Sequence, residues 1–294
     1  MKREAKIEVA EKLITLMETS GSDWVKPWAE SAAMGHRNAR TGRAYRGINT
    51  FLTAQSAAEA GWISRDWNTY RAWDKMGHQV AVGQRGTPIV FWKMIKITNK
   101  TSGETEAVPF ARMYTVFNGS QLTTPYGEGL EPGPSVVEVV EAAEELIMRN
   151  GPEVTTFFRC QGPVQAYYSP AEDRINMPQL PSFHSTDGYY ATLFHELTHW
   201  SGHKSRLDRN LKGRFGSPDY AFEELIAELG AAMLCATTGV SAEPREDHAQ
   251  YLNGWIKGLK DRPESVWQAF SHAQRAVDFL TEHGEGEDGH TVSE

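Results

Sequence analysis

The sequence contains only two cysteines, Cys160 and Cys235, and they form no CxxC pair. Two isolated thiols exclude a disulfide scaffold and a cysteine-based zinc site, and they fit a reducing compartment. The longest weakly polar run, residues 229–240, is shorter than the roughly 18–20 apolar residues that a membrane span needs. Acidic residues interrupt the basic N-terminus, and no apolar signal-peptide core follows it. We therefore expect a cytoplasmic protein without a membrane partner.

A chain of 294 residues and 32.9 kDa is long for a single core and favours two domains. The densest run of glycine and proline covers residues 118–134 and marks the boundary. We predict an N-terminal mixed α/β domain over 1–120, a linker over 121–134, a second domain over 135–284 and a disordered tail over 285–294. Short strands together with long helices predict an α+β fold class.

Hydrophobic periodicity predicts the main elements. In the first half we expect helices over 3–20 and 50–60, and strands over 79–82, 88–97 and 111–117. In the second half we expect a helix over 136–149, short strands over 154–158, 164–168 and 174–177, and long helices over 189–201, 220–237 and 248–280, the last broken near Pro263.

The formal net charge of −8 is distributed unevenly along the chain. Residues 135–294 hold 13 Lys and Arg against 25 Asp and Glu, whereas residues 26–100 hold 12 against 4. A concentrated basic block in an acidic chain indicates contact with a polyanion. The alternative is a solvated basic face with no partner.

Residues 195–199 read His-Glu-Leu-Thr-His, the HExxH pattern, on a helix for which Asp187 is the expected N-cap. Because residues four apart lie on one helical face, His195 and His199 can bind one ion. Glu196 lies beside that face, where its carboxylate can accept a proton from metal-bound water. We predict a Zn²⁺ site with Glu196 as the catalytic residue; another divalent transition metal is the alternative ion.

A catalytic zinc site needs a third protein ligand, and the next predicted helix supplies carboxylates. Glu224 and Glu228 are four apart on one side of its apolar stripe. We predict Glu224 as the third ligand and Glu228 as the hydrogen-bond acceptor of a liganding histidine. Glu223 and His203 are the alternative ligands, although Gly202 is expected to end the helix before His203. The plainest alternative is a surface helix whose histidines bind no ion.

Basic and aromatic residues interleave in the first third of the chain, which holds six of the nine tryptophans. In single-strand binding proteins, cations neutralise phosphates while aromatic faces stack on unpaired bases. Walker, Rossmann and duplex-reading motifs are missing from the sequence. The alternative is that the tryptophans are core and the arginines form a solvated rim. The predicted contacts with single-stranded DNA are Lys26, Trp28, Arg37, Asn38, Arg43, Tyr45, Arg46, Trp67, Lys75, Arg85, Trp92 and Lys93.

Several of these motifs together resemble ArdC-type antirestriction proteins. The N-terminal ones are the Trp24–Trp28 run, the Arg37–Asn49 loop and the Gly83–Lys93 segment; they are also similar to the N-terminal part of plasmid TraC-type primases. The C-terminal ones, within Tyr189–Arg209 and Tyr220–Glu228, look like the zincin-like peptidase domain of that family. The resemblance extends from about residue 5 to 282.

The resemblance implies a domain that binds single-stranded DNA, joined to a zinc metallopeptidase-like domain of unknown substrate. It also implies a plasmid-encoded protein that protects incoming conjugated DNA from host restriction. The peptidase substrate would then be a host restriction component or another protein. Two alternatives stay open: a non-catalytic DNA-coating protein whose metal is structural, and a cytoplasmic metallopeptidase recruited by its basic domain.

Overall fold

The computed structural model describes residues 3–98, 105–127, 136–157, 166–214, 217–242 and 248–281. Its helices are α1 (Arg3–Ser20), α2 (Lys26–Ala32), α3 (Ile48–Ala60), α4 (Tyr70–Lys75), α5 (Val136–Asn150), α6 (Thr186–Ser201), α7 (Pro218–Thr238), α8 (His248–Asp261) and α9 (Ser265–Thr281). Its strands are β1 (Arg37–Asn38), β2 (Asp66–Thr69), β3 (Thr87–Thr98), β4 (Thr105–Asn118), β5 (Glu153–Phe157), β6 (Tyr167–Ser169) and β7 (Arg174–Pro178). The α+β fold class is confirmed. The second half of the predicted linker, residues 128–134, and the whole predicted tail over 285–294 lie outside the described residues.

The first half is built on a four-stranded sheet of order β1-β2-β4-β3. β1 and β2 are parallel, and the other pairs are antiparallel, with β3 and β4 forming a long hairpin. Asn49 at the start of α3 fixes this helix to the hairpin. Its side-chain amide donates to the carbonyl of Val90 at 2.7 Å, and its Oδ1 accepts the Val90 N–H at 2.8 Å. The residue before this helix, Gly47, has a positive φ of 57°, which glycine adopts without strain.

The predicted strand over 79–82 is wrong. Only Val80 pairs there, as an isolated bridge with Leu122, and Val82 is 99% exposed. A strand needs a partner strand along its length. Here β3 pairs with β4 and not with residues 79–82, and β4 is longer than the predicted 111–117 segment. The predicted N-cap of α6 is also wrong, because the Oγ of Ser185 and not Asp187 accepts the N–H of Gly188 at 2.9 Å.

The second half places α6 against a three-stranded sheet of order β5-β7-β6. Helix α7 packs between α6 and α9 and is buried along most of its length. Gly230 of α7 lies directly against Thr198 of α6: a Cβ at Gly230 would lie 2.6 Å from Thr198 Cγ2. The helix bearing HExxH and the helix bearing the acidic residues therefore pack at unusually close range.

One hydrophobic cluster runs through both halves of the chain. It joins α1, α2 and α3 to α7, α8 and α9; Trp24, for example, lies edge-on against Trp255 with ring centroids 6.1 Å apart. The first three helices thus pack against α7, which bears Glu223, Glu224 and Glu228, and against α8 and α9. Among the described residues, no helix combines the length and apolarity that crossing a membrane requires.

Candidate metal centre and basic surface

His195 and His199 lie one turn apart on the buried side of α6. Their Nε2 atoms point at each other across 3.1 Å, with the rings nearly perpendicular. Glu224 approaches from α7, with Oε2 3.4 Å from Nε2 of His195 and Oε1 3.5 Å from Nε2 of His199. Two imidazole nitrogens and a carboxylate therefore converge on one point.

This geometry fits a tetrahedral metal ion. Ligands bound at about 2.0–2.1 Å to one tetrahedral ion lie roughly 3.3 Å apart, close to the separations of 3.1, 3.4 and 3.5 Å between these donors. Within the described part of the chain, His195, His199 and Glu224 are the group of donors that could hold a metal ion. His203 is not in that group; it lies beyond the helix end, where its Nδ1 is hydrogen-bonded to the hydroxyl of Ser205.

Each histidine has a second carboxylate at its other ring nitrogen. Nδ1 of His195 lies 3.4 Å from Oε2 of Glu228, and Nδ1 of His199 lies 3.2 Å from Oε1 of Glu223. A carboxylate at Nδ1 favours the tautomer that carries its proton there and leaves Nε2 free to bind a metal. Glu223, considered from sequence as an alternative ligand, instead occupies this outer position.

The carboxylates dominate the electrostatics of the site. Burial opposes the charged imidazolium, but the hydrogen bonds to Glu223 and Glu224 prevail and raise the pKa of His199 to about 10. Burial also opposes ionisation of Glu224, but His195 and His199 prevail and hold the pKa of that carboxyl far below its usual range. A metal that binds His199 therefore displaces a proton.

Glu196 is buried, and its carboxylate accepts the backbone N–H of Tyr168 at 2.8 Å. This contact ties the HExxH glutamate to β6, an edge strand of the small sheet. The turn after β6 is held in place by Arg206, which donates to Asp173 at 3.0 Å and stacks 3.7 Å over the ring of Trp200. The position of Glu196 thus depends on a contact with β6 that the motif does not encode.

These residues line an open cleft of about 280 Å³. One wall is the edge strand at Tyr167 and Tyr168, and the opposite wall includes Tyr220 and Tyr251, whose hydroxyls lie 3.2 Å apart. Burial, the hydrogen bond to Tyr251 and the neighbouring Glu224 raise the pKa of Tyr220 far above its usual value. Tyr220 is therefore a neutral phenol, able to donate a hydrogen bond, at the cleft wall.

Besides Arg46, which is exposed but paired with Asp278, four of the predicted DNA contacts are exposed cations of the N-terminal half. They are Lys26, Arg43, Lys75 and Arg85. Lys26 also lies 4.0 Å from Glu30, one helical turn further on. Exposed cations can reach a phosphate at little desolvation cost, so their positions are compatible with DNA contact. DNA contact by these four residues stays a prediction.

Three further predicted contacts are engaged within the protein. Nε of Arg37 donates to Asp66 at 2.8 Å, and Arg46 forms an ion pair with Asp278 of α9. The Oδ1 of Asn38 accepts two backbone N–H groups of the loop that this residue begins. Asn38 therefore shapes the loop, while each arginine already has a carboxylate beside it.

The predicted stacking roles of Trp28 and Trp67 are wrong, because both side chains are fully buried. The alternative weighed from sequence, that such tryptophans form core, applies to both. Tyr45 is mostly buried as well: its hydroxyl is inaccessible and its ring packs on the cluster around Trp67. The side chains of Trp92 and Lys93 lie outside the described residues.

Two family models match adjoining parts of the chain. One, described as a zincin-like metallopeptidase, matches residues 141–272. The other, described as the N-terminal domain of anti-restriction factor ArdC, matches residues 3–117. The two matches correspond to the half with the metal-type donors and the half with the basic surface.

Curated relatives match nearly the whole chain. An uncharacterised protein of Sinorhizobium fredii, y4eC, is 36% identical over 288 residues, which cover 92% of this chain and 90% of that protein. A DNA primase TraC of Escherichia coli is 37% identical over 295 residues, covering 92% of this chain but only 19% of the primase.

Solved structures give the same relationship. The crystal structure of the antirestriction ArdC protein from plasmid R388 in its metal-free form has a TM-score of 0.77 at 36% identity, covering 94% of this chain and 96% of that one. Its Mn(II)-bound structure has a TM-score of 0.75 at the same identity, covering 94% of this chain and 97% of that one. By sequence, domain content and fold, this chain belongs to the ArdC family of antirestriction proteins.

Proposed function

We propose that the protein binds single-stranded DNA through its N-terminal half, hydrolyses peptide bonds at a metal centre in its C-terminal half, and protects DNA that enters a cell by conjugation from restriction. The family and its plasmid-borne relatives support this proposal. So do the exposed cations of the first half. The action takes place in the cytoplasm, where incoming DNA meets restriction enzymes, and a host restriction component is the proposed protein substrate.

The observation that carries the peptidase proposal is the convergence of His195, His199 and Glu224 beside Glu196 in one cleft. We assign the metal as Zn²⁺, which suits two imidazoles and a carboxylate; the Mn(II)-bound relative indicates that a second divalent ion also fits this fold. When bound, zinc lowers the pKa of a coordinated water and polarises a carbonyl.

The chain's own residues supply the proton transfers. Glu196 accepts a proton from the water as the carbon–oxygen bond forms, and it then delivers that proton to the amide nitrogen, which leaves as an amine when the carbon–nitrogen bond breaks. The Tyr168 N–H holds the carboxylate in place before substrate enters. Glu223 and Glu228 orient the two imidazoles, and the neutral hydroxyl of Tyr220, which is hydrogen-bonded to Tyr251, lies at the cleft wall.

The test is the Glu196→Gln variant, which keeps the side-chain volume and an oxygen that can accept the Tyr168 N–H. We expect stoichiometric zinc by elemental analysis, unchanged binding of single-stranded oligonucleotides, and loss of cleavage of a fluorescent casein probe. The control is Glu172→Gln, an exposed carboxylate paired with Arg174. Undiminished casein cleavage by Glu196→Gln contradicts the assigned role.

A second candidate function has its own supporting observation. Glu224 joins α7 to the two histidines of α6, so a metal there would hold two core helices together, and protection could come from coating DNA alone. Conjugation into recipients with and without a restriction system separates the two: Glu196→Gln abolishes protection if peptide hydrolysis is required and leaves it intact if the metal is structural. In the third alternative, a recruited cytoplasmic peptidase, the wild-type protein binds no oligonucleotide.

A further inference from the structure

The burial of Trp28 and Trp67 raises the question of which rings remain available to unpaired bases. Among the described residues of the N-terminal half, the exposed aromatic side chains are Tyr70, at 52%, and Tyr114, at 37%. Phe91 is half-buried and meets Tyr114 edge-on, with centroids 6.1 Å apart and planes at 90°. Tyr114 and Phe91 thus form a pair of accessible rings on the β3–β4 hairpin.

The register of the hairpin places a cation in the same patch. Phe91 lies opposite Arg112, and Ile89 lies opposite Tyr114. Opposed and alternate residues of an antiparallel pair share one face, so all four side chains project from the same side of the sheet. The exposed guanidinium of Arg112 lies 5.2 Å from the centre of the Tyr114 ring. A cation beside two rings on a sheet face is the combination that holds a phosphate and stacks the adjoining base.

The arginine-rich loop over residues 37–49, here called the basic loop, adjoins this face. Tyr45, Trp62 and Ile89 pack on the buried cluster that includes Val116, two residues from Tyr114 on the same face. Tyr45 therefore anchors its loop at one end of the face, and the exposed Arg43 two residues earlier extends the positive charge. Residues 26–100, which contain this loop and Phe91, hold 12 basic residues against 4 acidic ones. A polyanion is the complementary partner for such a surface.

We infer that Phe91, Arg112 and Tyr114 form a stacking site for unpaired DNA bases, with Arg112 neutralising a phosphate. This inference rests on the proposed binding of single-stranded DNA and assigns it to the hairpin face. The hairpin supplies the stacking and the phosphate contact of Arg112, the loop supplies further phosphate contacts, and Tyr45 connects the two. Of the two buried tryptophans, Trp67 packs beside Val116 at the covered end of this same face, and Trp28 packs on Phe51 of α3.

The test uses the full chain and fluorescent oligonucleotides, titrated across salt concentrations. Tyr114→Ala is expected to weaken binding of single-stranded oligothymidine by about 10- to 100-fold, the loss typical of one stacked base, with the salt dependence unchanged because no charge is removed. Arg112→Ala is expected to reduce the slope of log K against log salt by about 0.7, the value for one lost phosphate contact. Tyr114→Phe keeps the ring and should bind as the wild type does.

The matched control is Tyr70→Ala. Tyr70 is more exposed than Tyr114, but it contacts Phe117, whose side chain alternates to the face opposite Val116. Its removal should leave binding unchanged. If Tyr114→Ala binds as tightly as the wild type, or if Tyr70→Ala is equally damaging, the stacking site is overturned while the proposed function stands. If the wild type itself binds no single-stranded DNA at low salt, both are overturned.

Discussion

Oε1 of Glu223 lies 3.2 Å from Nδ1 of His199 and accepts a hydrogen bond of 2.9 Å from Arg209. Arg209 is itself almost fully buried, and it also donates to the hydroxyl of Ser201 at 3.0 Å. The arginine fixes the carboxylate, and the carboxylate fixes the imidazole. Arg209 therefore helps to set the orientation of His199. It lies in a loop, eight positions after the end of α6.

We predict that Glu223→Gln weakens zinc binding by about 10- to 100-fold, because an amide orients Nδ1 of His199 less strongly than a carboxylate. Chelator competition measures the zinc affinity, and thermal melting of the metal-free protein reports any loss of folding. Glu172→Gln, which removes an exposed carboxylate, is the control and should bind zinc normally. Equal zinc affinities in Glu223→Gln and wild type would show that Glu223 does not orient the ligand.

The close approach of α6 and α7 supports a second prediction. A Cβ at Gly230 would lie 2.6 Å from Cγ2 and 2.8 Å from Oγ1 of Thr198, which is fully buried within the HExxH motif. We expect Gly230→Ala to lower the free energy of unfolding by about 1–3 kcal/mol, as overpacking does, and to weaken metal binding by displacing His195 and His199. Denaturant unfolding of the metal-free protein measures the first effect.

The matched control for Gly230 is Gly258, a helical glycine of α8 with open space where a Cβ would be. Gly258→Ala should be neutral or stabilising by up to about 1 kcal/mol, because alanine is the better helix former. The same glycine-to-alanine substitution is thus expected to lower the free energy of unfolding at position 230 and to leave it unchanged or raise it at position 258. Destabilisation of similar size at both positions would contradict the packing argument.

Local spacing predicted that His195, His199 and Glu224 converge, because HExxH and the acidic helix encode their faces by helical periodicity. Glu228, on the same helix, was predicted in this way as the acceptor of a histidine, whereas the contacts of Arg209 and Tyr168 could not be predicted from spacing. Arg209 reaches Glu223, and the Tyr168 N–H reaches Glu196, only through the tertiary fold. The neighbouring position of Glu223 beside Glu224 was a signal, but it indicated an alternative ligand rather than a partner of Arg209.

The aromatic residues show where prediction from local sequence fails. A tryptophan flanked by basic residues has the same sequence pattern whether its ring lies in the core or on the surface. Trp67 is buried, and its Nε1 donates to His36 at 2.6 Å. Tyr114, within a segment predicted only as a strand, is exposed. Sheet register and helix packing decide this difference, and neither is a local property of the sequence.

The third prediction concerns the buried imidazole of His36. Its Nδ1 accepts the Trp67 N–H and its Nε2 donates to the Ser31 carbonyl at 2.9 Å, so the buried ring is held neutral. Burial outweighs the Ser31 hydrogen bond and lowers the pKa of His36 from 6.5 to about 4. Between these two pH values the unfolded chain binds a proton that the folded chain does not.

We therefore expect His36 to reduce the free energy of unfolding progressively as the pH falls from 6.5 to about 4, by about 3 kcal/mol in total. Denaturant unfolding at several pH values measures this slope. Subtracting the slope of His36→Gln, which lacks the titrating ring, isolates the histidine. Parallel curves for the two proteins across this window would contradict the buried neutral imidazole.

Two arginines of the basic loop, Arg43 and Arg46, differ in their partners, and their variants should differ accordingly. Both side chains are exposed, but Arg46 forms an ion pair with Asp278 of α9. An arginine that keeps its carboxylate contributes less net charge to a phosphate, so Arg43→Ala should reduce the salt slope of single-strand binding by about 0.7 and Arg46→Ala by less. Asp278→Asn releases Arg46 from its partner and should steepen the slope. Fluorescence anisotropy with single-stranded oligonucleotides across salt measures all three; equal slopes for Asp278→Asn and wild type would show that the ion pair does not restrain Arg46.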